Sequence, residues 1–193
     1  MSSMLYSHHY SFYSLYFMNH YDHMRLLRPA VTTKKQVWAD LGSGDGAFTL
    51  ALRELGGEET EIYSVDMDES RLALQKKHFD EMFPGSKVHF FHENFTQPLD
   101  IPMMDGIIMA NSLHYIENKI PFLIDLKEYL KPTGKLLIVE YNSEAGNRWV
   151  PYPLSLLALE KLCQETGFLP PQKIGSQPSE FLKEIYSAVM QKK

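Results

Sequence analysis

From Val37 onward the chain alternates between short apolar runs rich in β-formers and stretches with helical spacing. "QVWADL", "EIYSVD", "KVHFFHE", "MDGIIMANS" and "KLLIVEYN" read as strands, with "AFTLALREL", "ESRLALQKKHFDEMF" and "NKIPFLIDLKEYLK" as helices between them. Strand–helix–strand repetition gives parallel strands, because each crossover returns the chain to the same end of the sheet. The expected fold is therefore α/β, a doubly wound sheet with helices on both faces. "FPGSK" and "LKPTGK" are turn punctuation ahead of two strands. After the fifth strand come the irregular "NSEAGNRWVPYPLS" and a helix, "LSLLALEKLCQETGF", stopped at Gly167. The tail "PPQKIGSQPSEFLKEIYSAVMQ" reads as two final strands with a turn near Gly175 to Pro178.

A different texture precedes this. Tyr6, Tyr10, Tyr13, Phe17 and Met24 fall near helical spacing, so residues 1–34 read as an amphipathic helical extension, a candidate lid over a domain spanning 35–193. With 193 residues the chain has ample length for one sizeable core. Its net charge is −5 and no run of Lys or Arg exceeds two, which argues against nucleic acid or an anionic membrane surface as partner. No apolar run approaches the ~18 residues of a membrane span. The N-terminus lacks the basic start and apolar core of a signal peptide, so a cytoplasmic location is expected. Cys163, the one cysteine, excludes an intrachain disulfide and reads as a packed thiol on an apolar helix stripe. His20 and His23 stand three apart on a helix without a third ligand in view, so no metal site is read.

The site signal is "VWADLGSGDGAFTLAL", a buried strand entering a glycine-rich turn and then a helix. "GSGDGA" satisfies the dinucleotide pattern G-x-G-x-x-G/A, and Asp66 follows at about the 20-residue spacing of a ribose-binding acid. Both a dinucleotide and S-adenosylmethionine need glycines for close backbone approach and a carboxylate for the ribose. Asp40, two residues before the first glycine, separates them: an acid there suits a ligand with an ammonium group and would repel a pyrophosphate. Gly46 supplies a third glycine. The missing Lys-Ser/Thr excludes a nucleoside-triphosphate loop.

These stretches, with "IYSVDMDES", "PMMDGIIMANSLHYI" and "LKEYLKPTGKLLIVEYN", resemble the motifs of the class I S-adenosylmethionine-dependent methyltransferases over roughly residues 35 to 190. The resemblance implies a seven-stranded sheet with six parallel strands and an antiparallel seventh, "EIYSAVMQ", between the fifth and sixth. It implies that Asp40, Gly42, Ser43, Gly44 and Gly46 wrap the methionine part of S-adenosylmethionine. Asp66 then accepts the ribose hydroxyls, Met67 packs on adenine, and Asn94 and Phe95 border the base, Asn94 standing where the family usually has Asp. Ala110 and Asn111 end the fourth strand beside the reacting methyl, and S-adenosylhomocysteine is the product.

His114, in "NSLHYI", is the candidate base for a hydroxyl or amine acceptor; a purely structural loop histidine is the competing reading. Tyr10, Tyr13 and Tyr21 in the lid, and Arg148, Trp149 and Tyr152 after the fifth strand, are candidates for holding the acceptor. "NSLH" lacks the Asn/Asp-Pro-Pro-aromatic run of enzymes acting on base amino groups or glutamine, which favours a small-molecule acceptor. Two other readings stand beside this one: a protein that binds S-adenosylmethionine without methyl transfer, and an NAD(P)-dependent oxidoreductase, for which no hydride-transfer machinery is seen.

Overall fold

The computed structural model describes residues 18–179 and 181–193. Its centre is one seven-stranded sheet in the order β3-β2-β1-β4-β5-β7-β6. The strands are β1 (Val37–Leu41), β2 (Glu61–Asp66), β3 (Val88–His92), β4 (Met104–Ala110), β5 (Leu130–Tyr141), β6 (Gln172–Ser179) and β7 (Lys183–Gln191). Neighbouring strands from β3 to β5 run parallel, and β7 alone is reversed, antiparallel to both β5 and β6. The expected topology is thus present, with the order reversing between β1 and β4. A doubly wound sheet opens a crevice for ligands at the carboxyl ends of strands on either side of such a reversal.

The helices are α1 (His20–Leu27), α2 (Ala47–Gly56), α3 (Glu69–Met82), α4 (Lys119–Lys127) and α5 (Leu156–Thr166). Period-two alternation in the strands divides the core. Trp38, Ile62, Ile108, Leu137 and Val139 face α1 and α2, while Ala39, Leu41, Ile107, Leu136 and Ile138 face α4 and α5. Phe79 of α3 packs on Phe90 of β3, and Phe83 after it meets Arg53 of α2, so α3 lies on the α1–α2 side. Cys163 is buried in the α4–α5 cluster, and burial pushes its thiol up to about 11, as a packed cysteine requires.

Three sequence readings meet the structure at particular residues. "LKPTGK" is a turn, but one swallowed by a strand: Met104 pairs with Leu130 and Gly106 with Lys135, so Lys131–Gly134 bulge out of β5. The turn expected near Gly175 to Pro178 is not there. Both residues lie inside β6, and the chain reverses between Ser179 and Lys183. β6 is the edge strand, where a proline lacking its N–H is tolerated, and Gly175 marks a register shift that brings the backbone against Leu26. Finally, α1 is a layer of the sandwich: Leu26 and Leu27 are buried with Phe48, Leu52 and Ile185, so the boundary drawn between residues 34 and 35 cuts through a packed face. Tyr10 and Tyr13 lie outside the described residues.

Candidate active site

β1 delivers the chain to the carboxyl edge, where Gly42, Gly44 and Gly46 all take positive φ, at 78°, 54° and 82°. The N–H groups of Gly42 and Ser43 donate to the Val65 carbonyl, and Gly46 N–H donates to Ser43 O, folding the loop back over β2. Side chains are excluded as well as strained here: a Cβ on Gly46 would overlap Cγ of Gln75, and one on Gly42 would overlap Cβ of Ser112.

Gln75, buried on α3, is the brace of this loop. Its Nε2 donates to Gly44 O at 3.1 Å and to Ser43 Oγ at 3.3 Å, while its Oε1 accepts from Ser64 Oγ at 2.7 Å. Ser43 therefore turns its hydroxyl back into the scaffold, leaving only its backbone to face a ligand. Sequence reasoning missed Gln75; its signal was a polar residue on the apolar stripe of Leu72 and Phe79.

Two carboxylates flank the loop. Asp40 is buried and accepts from Thr49 Oγ1 at 2.6 Å. Burial pushes its carboxyl up to about 7; the Thr49 hydrogen bond works against that and the neighbouring charge of Asp66 works with it. Asp66, half-buried at the end of β2, accepts from Gly44 N–H at 2.7 Å and from Asp68 N–H at 2.9 Å. Each oxygen keeps a lone pair for a further donor. Met67 beside it is 70% exposed, an apolar surface open to a flat partner.

After β3, Asn94 Oδ1 accepts from both the N–H and the hydroxyl of Thr96, at 3.0 and 2.8 Å. Both its lone pairs are spent on Thr96, so the amide NH₂ is the side of Asn94 left to meet a ligand. Phe95 reaches back to Gly42 and meets Phe122 of α4 at 6.0 Å between ring centroids. On its other side opens a groove of about 590 Å³ lined by Leu99, Ile116, Phe122, Leu126 and Tyr129.

β4 ends at Ala110, and Asn111 follows in the left-handed region at φ 52°. Its Oδ1 is buried with no hydrogen-bond partner among the described residues. An orphaned acceptor of that kind is costly, by about 1–3 kcal/mol, and marks a place where a ligand donor fits. Ser112 then ties the turn to β1, its hydroxyl donating to Leu41 O at 2.7 Å.

His114 sits in a single 3-10 turn, Leu113–Tyr115, and is only 2% exposed. Glu140, 0% exposed on β5, meets it at two points: Oε1 accepts from the backbone N–H at 3.1 Å and Oε2 lies 2.8 Å from Nδ1. Rings continue outward from it, Tyr115 at 4.4 Å, Tyr141 at 6.3 Å, and Phe181 at 5.7 Å from Tyr141. Lys119 clamps the two loops of this side, donating to Ile116 O and Tyr152 O at 2.6 and 2.9 Å. Desolvation lowers its pKa, and the charge of Glu140 opposes the shift. Tyr152 N–H in turn donates to His114 O.

Arg148 stacks on Trp149 at 4.2 Å, and Trp149 is 58% exposed. Tyr152 is thus brought to His114, whereas Arg148 and Trp149 pair with each other on the loop surface. Tyr21 stands on the outer face of α1, joined to none of these residues by a ring contact or hydrogen bond among the described residues. Glu140, Lys119, Tyr141 and Phe181 were missed in the sequence; Glu140 alone carried a signal, a charge inside a strand otherwise buried.

A glycine turn between two acids, on a sheet of this order with one reversed strand, defines the class I S-adenosylmethionine-dependent methyltransferase architecture. A family model described as a methyltransferase domain matches residues 32–186, and the chain belongs to that family. The ubiquinone/menaquinone biosynthesis C-methyltransferase UbiE of Pasteurella multocida is 27% identical over 105 residues, covering 53% of this chain and 39% of that protein. The chain thus spans about two fifths of the length of the curated relatives it matches. Among solved structures, the YcgJ protein from Bacillus subtilis aligns with a TM-score of 0.72 at 14% identity, over 90% of this chain and 99% of that one. A SAM-dependent methyltransferase from Aquifex aeolicus aligns with a TM-score of 0.64 at 19% identity, over 81% of this chain and 82% of that one. At these identities the structural likeness speaks to the fold.

Proposed function

We infer that this protein transfers the methyl group of S-adenosylmethionine to a small planar acceptor carrying an ionisable hydroxyl group. One observation carries the cofactor assignment: a glycine cradle between buried Asp40 and ribose-ready Asp66 leads to an orphaned acceptor on Asn111. Asp40 meets the cofactor's ammonium group, the loop backbone lies along its methionine part, and Asp66 accepts from its ribose hydroxyls. Met67, Asn94 Nδ2 and Phe95 border its base. When bound, S-adenosylmethionine supplies a sulfonium-activated methyl, so the protein's own task is to align a nucleophile and exclude water.

That task falls to the ring-lined side of the site. Tyr115, Tyr141, Tyr152 and Phe181 offer flat apolar surface to an aromatic acceptor, and His114 removes its hydroxyl proton as the new bond to the methyl forms. The curated relatives are C-methyltransferases of ubiquinone and menaquinone biosynthesis, which share with this reading a ring acceptor, though not the atom methylated.

Calorimetric titration with S-adenosylmethionine, S-adenosylhomocysteine and NADH tests the cofactor half. Micromolar binding of the first two, weakened at least a hundredfold by Asp66→Ala, is expected. Binding of NADH alone refutes it. Tight cofactor binding with no turnover across a panel of hydroxylated aromatics would instead favour a binding protein without transferase activity.

A further inference from the structure

We propose that Glu140 is a positioning residue that fixes His114 in its Nδ1–H tautomer, leaving Nε2 as a bare base aimed at the acceptor. The geometry has three parts. First, Glu140 is fully buried, and both its oxygens are committed to one residue: Oε1 to the His114 backbone N–H and Oε2 to Nδ1. An ionised carboxylate only accepts, so Nδ1 must carry the proton. The hydrogen bond made by one ring nitrogen sets the state of the other. Second, Nε2 has no hydrogen-bond partner among the described residues and is not among the sealed, unpartnered atoms, so its lone pair is not consumed by the fold. Third, the Lys119 ammonium is held on the same side of the site by the carbonyls of Ile116 and Tyr152, and the charge of Glu140 opposes its desolvation.

The other titratable groups facing Glu140 are Tyr141 and Tyr186, both pushed up by burial first and by the Glu140 charge next, so they remain neutral phenols. An imidazole whose Nδ1–H is held by Glu140 keeps its Nε2 lone pair for a proton. When it takes the acceptor's proton on Nε2, the freed electron pair would form the bond to the methyl carbon as the carbon–sulfur bond breaks and its pair returns to sulfur, and the new imidazolium charge is met by Glu140. A histidine that merely filled space would need neither the second bond to Glu140 nor the open Nε2. This assignment rests on the methyltransferase reading for what His114 acts on, but the tautomer itself does not depend on that reading.

The experiment is long-range ¹H–¹⁵N correlation NMR on the full chain with labelled histidine, His114 being assigned by its loss in His114→Gln. The wild type is expected to show His114 protonated at Nδ1 and bare at Nε2, with the added proton appearing at Nε2 on acidification. Glu140→Gln is expected to invert this: its single oxygen stays with the backbone N–H, its amide NH₂ then donates to Nδ1, and the proton moves to Nε2. A wild-type His114 in the Nε2–H tautomer, or one that takes no proton at Nε2, overturns the proposal even if the variant does not fold. An unchanged tautomer in a folded Glu140→Gln overturns it as well. S-adenosylmethionine binding, measured alongside, is expected within about threefold of wild type in the variant. Failure of the wild type to bind would sink the methyltransferase reading and leave the tautomer result standing on its own.

Discussion

Cofactor binding should expel a proton from Asp40, and the amount can be worked from the structure. Burial holds this carboxyl near 7 rather than 3.8, so in the free protein at pH 6 roughly nine in ten copies carry a proton. An ammonium group placed against Asp40 requires the ionised form. Binding at pH 6 should therefore release roughly 0.9 proton, and at pH 8 roughly 0.1, with affinity falling about tenfold per pH unit below 7. Calorimetry in two buffers of different ionisation enthalpy measures the release directly, and Asp40→Asn should abolish it. The same shift has a mirror in stability. Between 3.8 and about 7 the folded chain holds a proton that the unfolded chain has lost, so stability is fully present below the lower value. It declines as pH rises through the upper one, by on the order of 4 kcal/mol in all. Asp40→Asn should flatten that slope and melt higher than wild type above pH 7. Buffer-independent binding heats at pH 6 in the wild type would refute the reasoning, because they leave no proton to displace.

Two further outcomes test the loop and the turn after β4. Gly46→Ala combines a left-handed backbone with an overlap on Gln75; it should cost about 2–5 kcal/mol, lowering the melting temperature by roughly 5–15 °C. Adding Gln75→Ala should restore part of that loss despite breaking the brace, whereas strict additivity in the double-mutant cycle would show that the side chain is not the obstacle. Asn111→Gly keeps the positive φ but removes the orphaned oxygen, so the free protein should be within about 1 kcal/mol of wild-type stability while S-adenosylmethionine binds up to about tenfold more weakly. Equal affinity would show that the oxygen meets no cofactor donor.

What the sequence disclosed was whatever depends on backbone conformation or on periodicity. The three glycines of "GSGDGA" announce positive φ, and the strand and helix periods announce a doubly wound sheet. Asp40 and Asp66 were legible because they stand at fixed distances from those glycines. What stayed hidden were partners brought from far along the chain. Gln75 reaches Gly44 across 31 residues, and Glu140 reaches His114 across 26. No local pattern encodes such a meeting. The misplaced turn at Gly175 and Pro178 has the opposite cause: both residues look like breakers, but an edge strand tolerates what a central strand refuses. At Asn94 the hidden factor was a close neighbour: Thr96, two residues on, occupies the same oxygen.

The reversed β7 has a consequence for how the molecule is made. β5 needs a neighbour on each side, and one of them, β7, comes only after α5 and β6 in the chain. The cofactor half, β1 to β4, is complete in the chain well before it, while Leu136 to Val139 of β5 wait with one row of backbone donors and acceptors unpaired. Vectorial synthesis therefore leaves a long apolar edge open until β7 emerges, a template for pairing with another nascent chain. Folding rate and yield should be governed by that one late, long-range closure, and conditions that slow the arrival of β7 should favour aggregation over misfolding of the cofactor half.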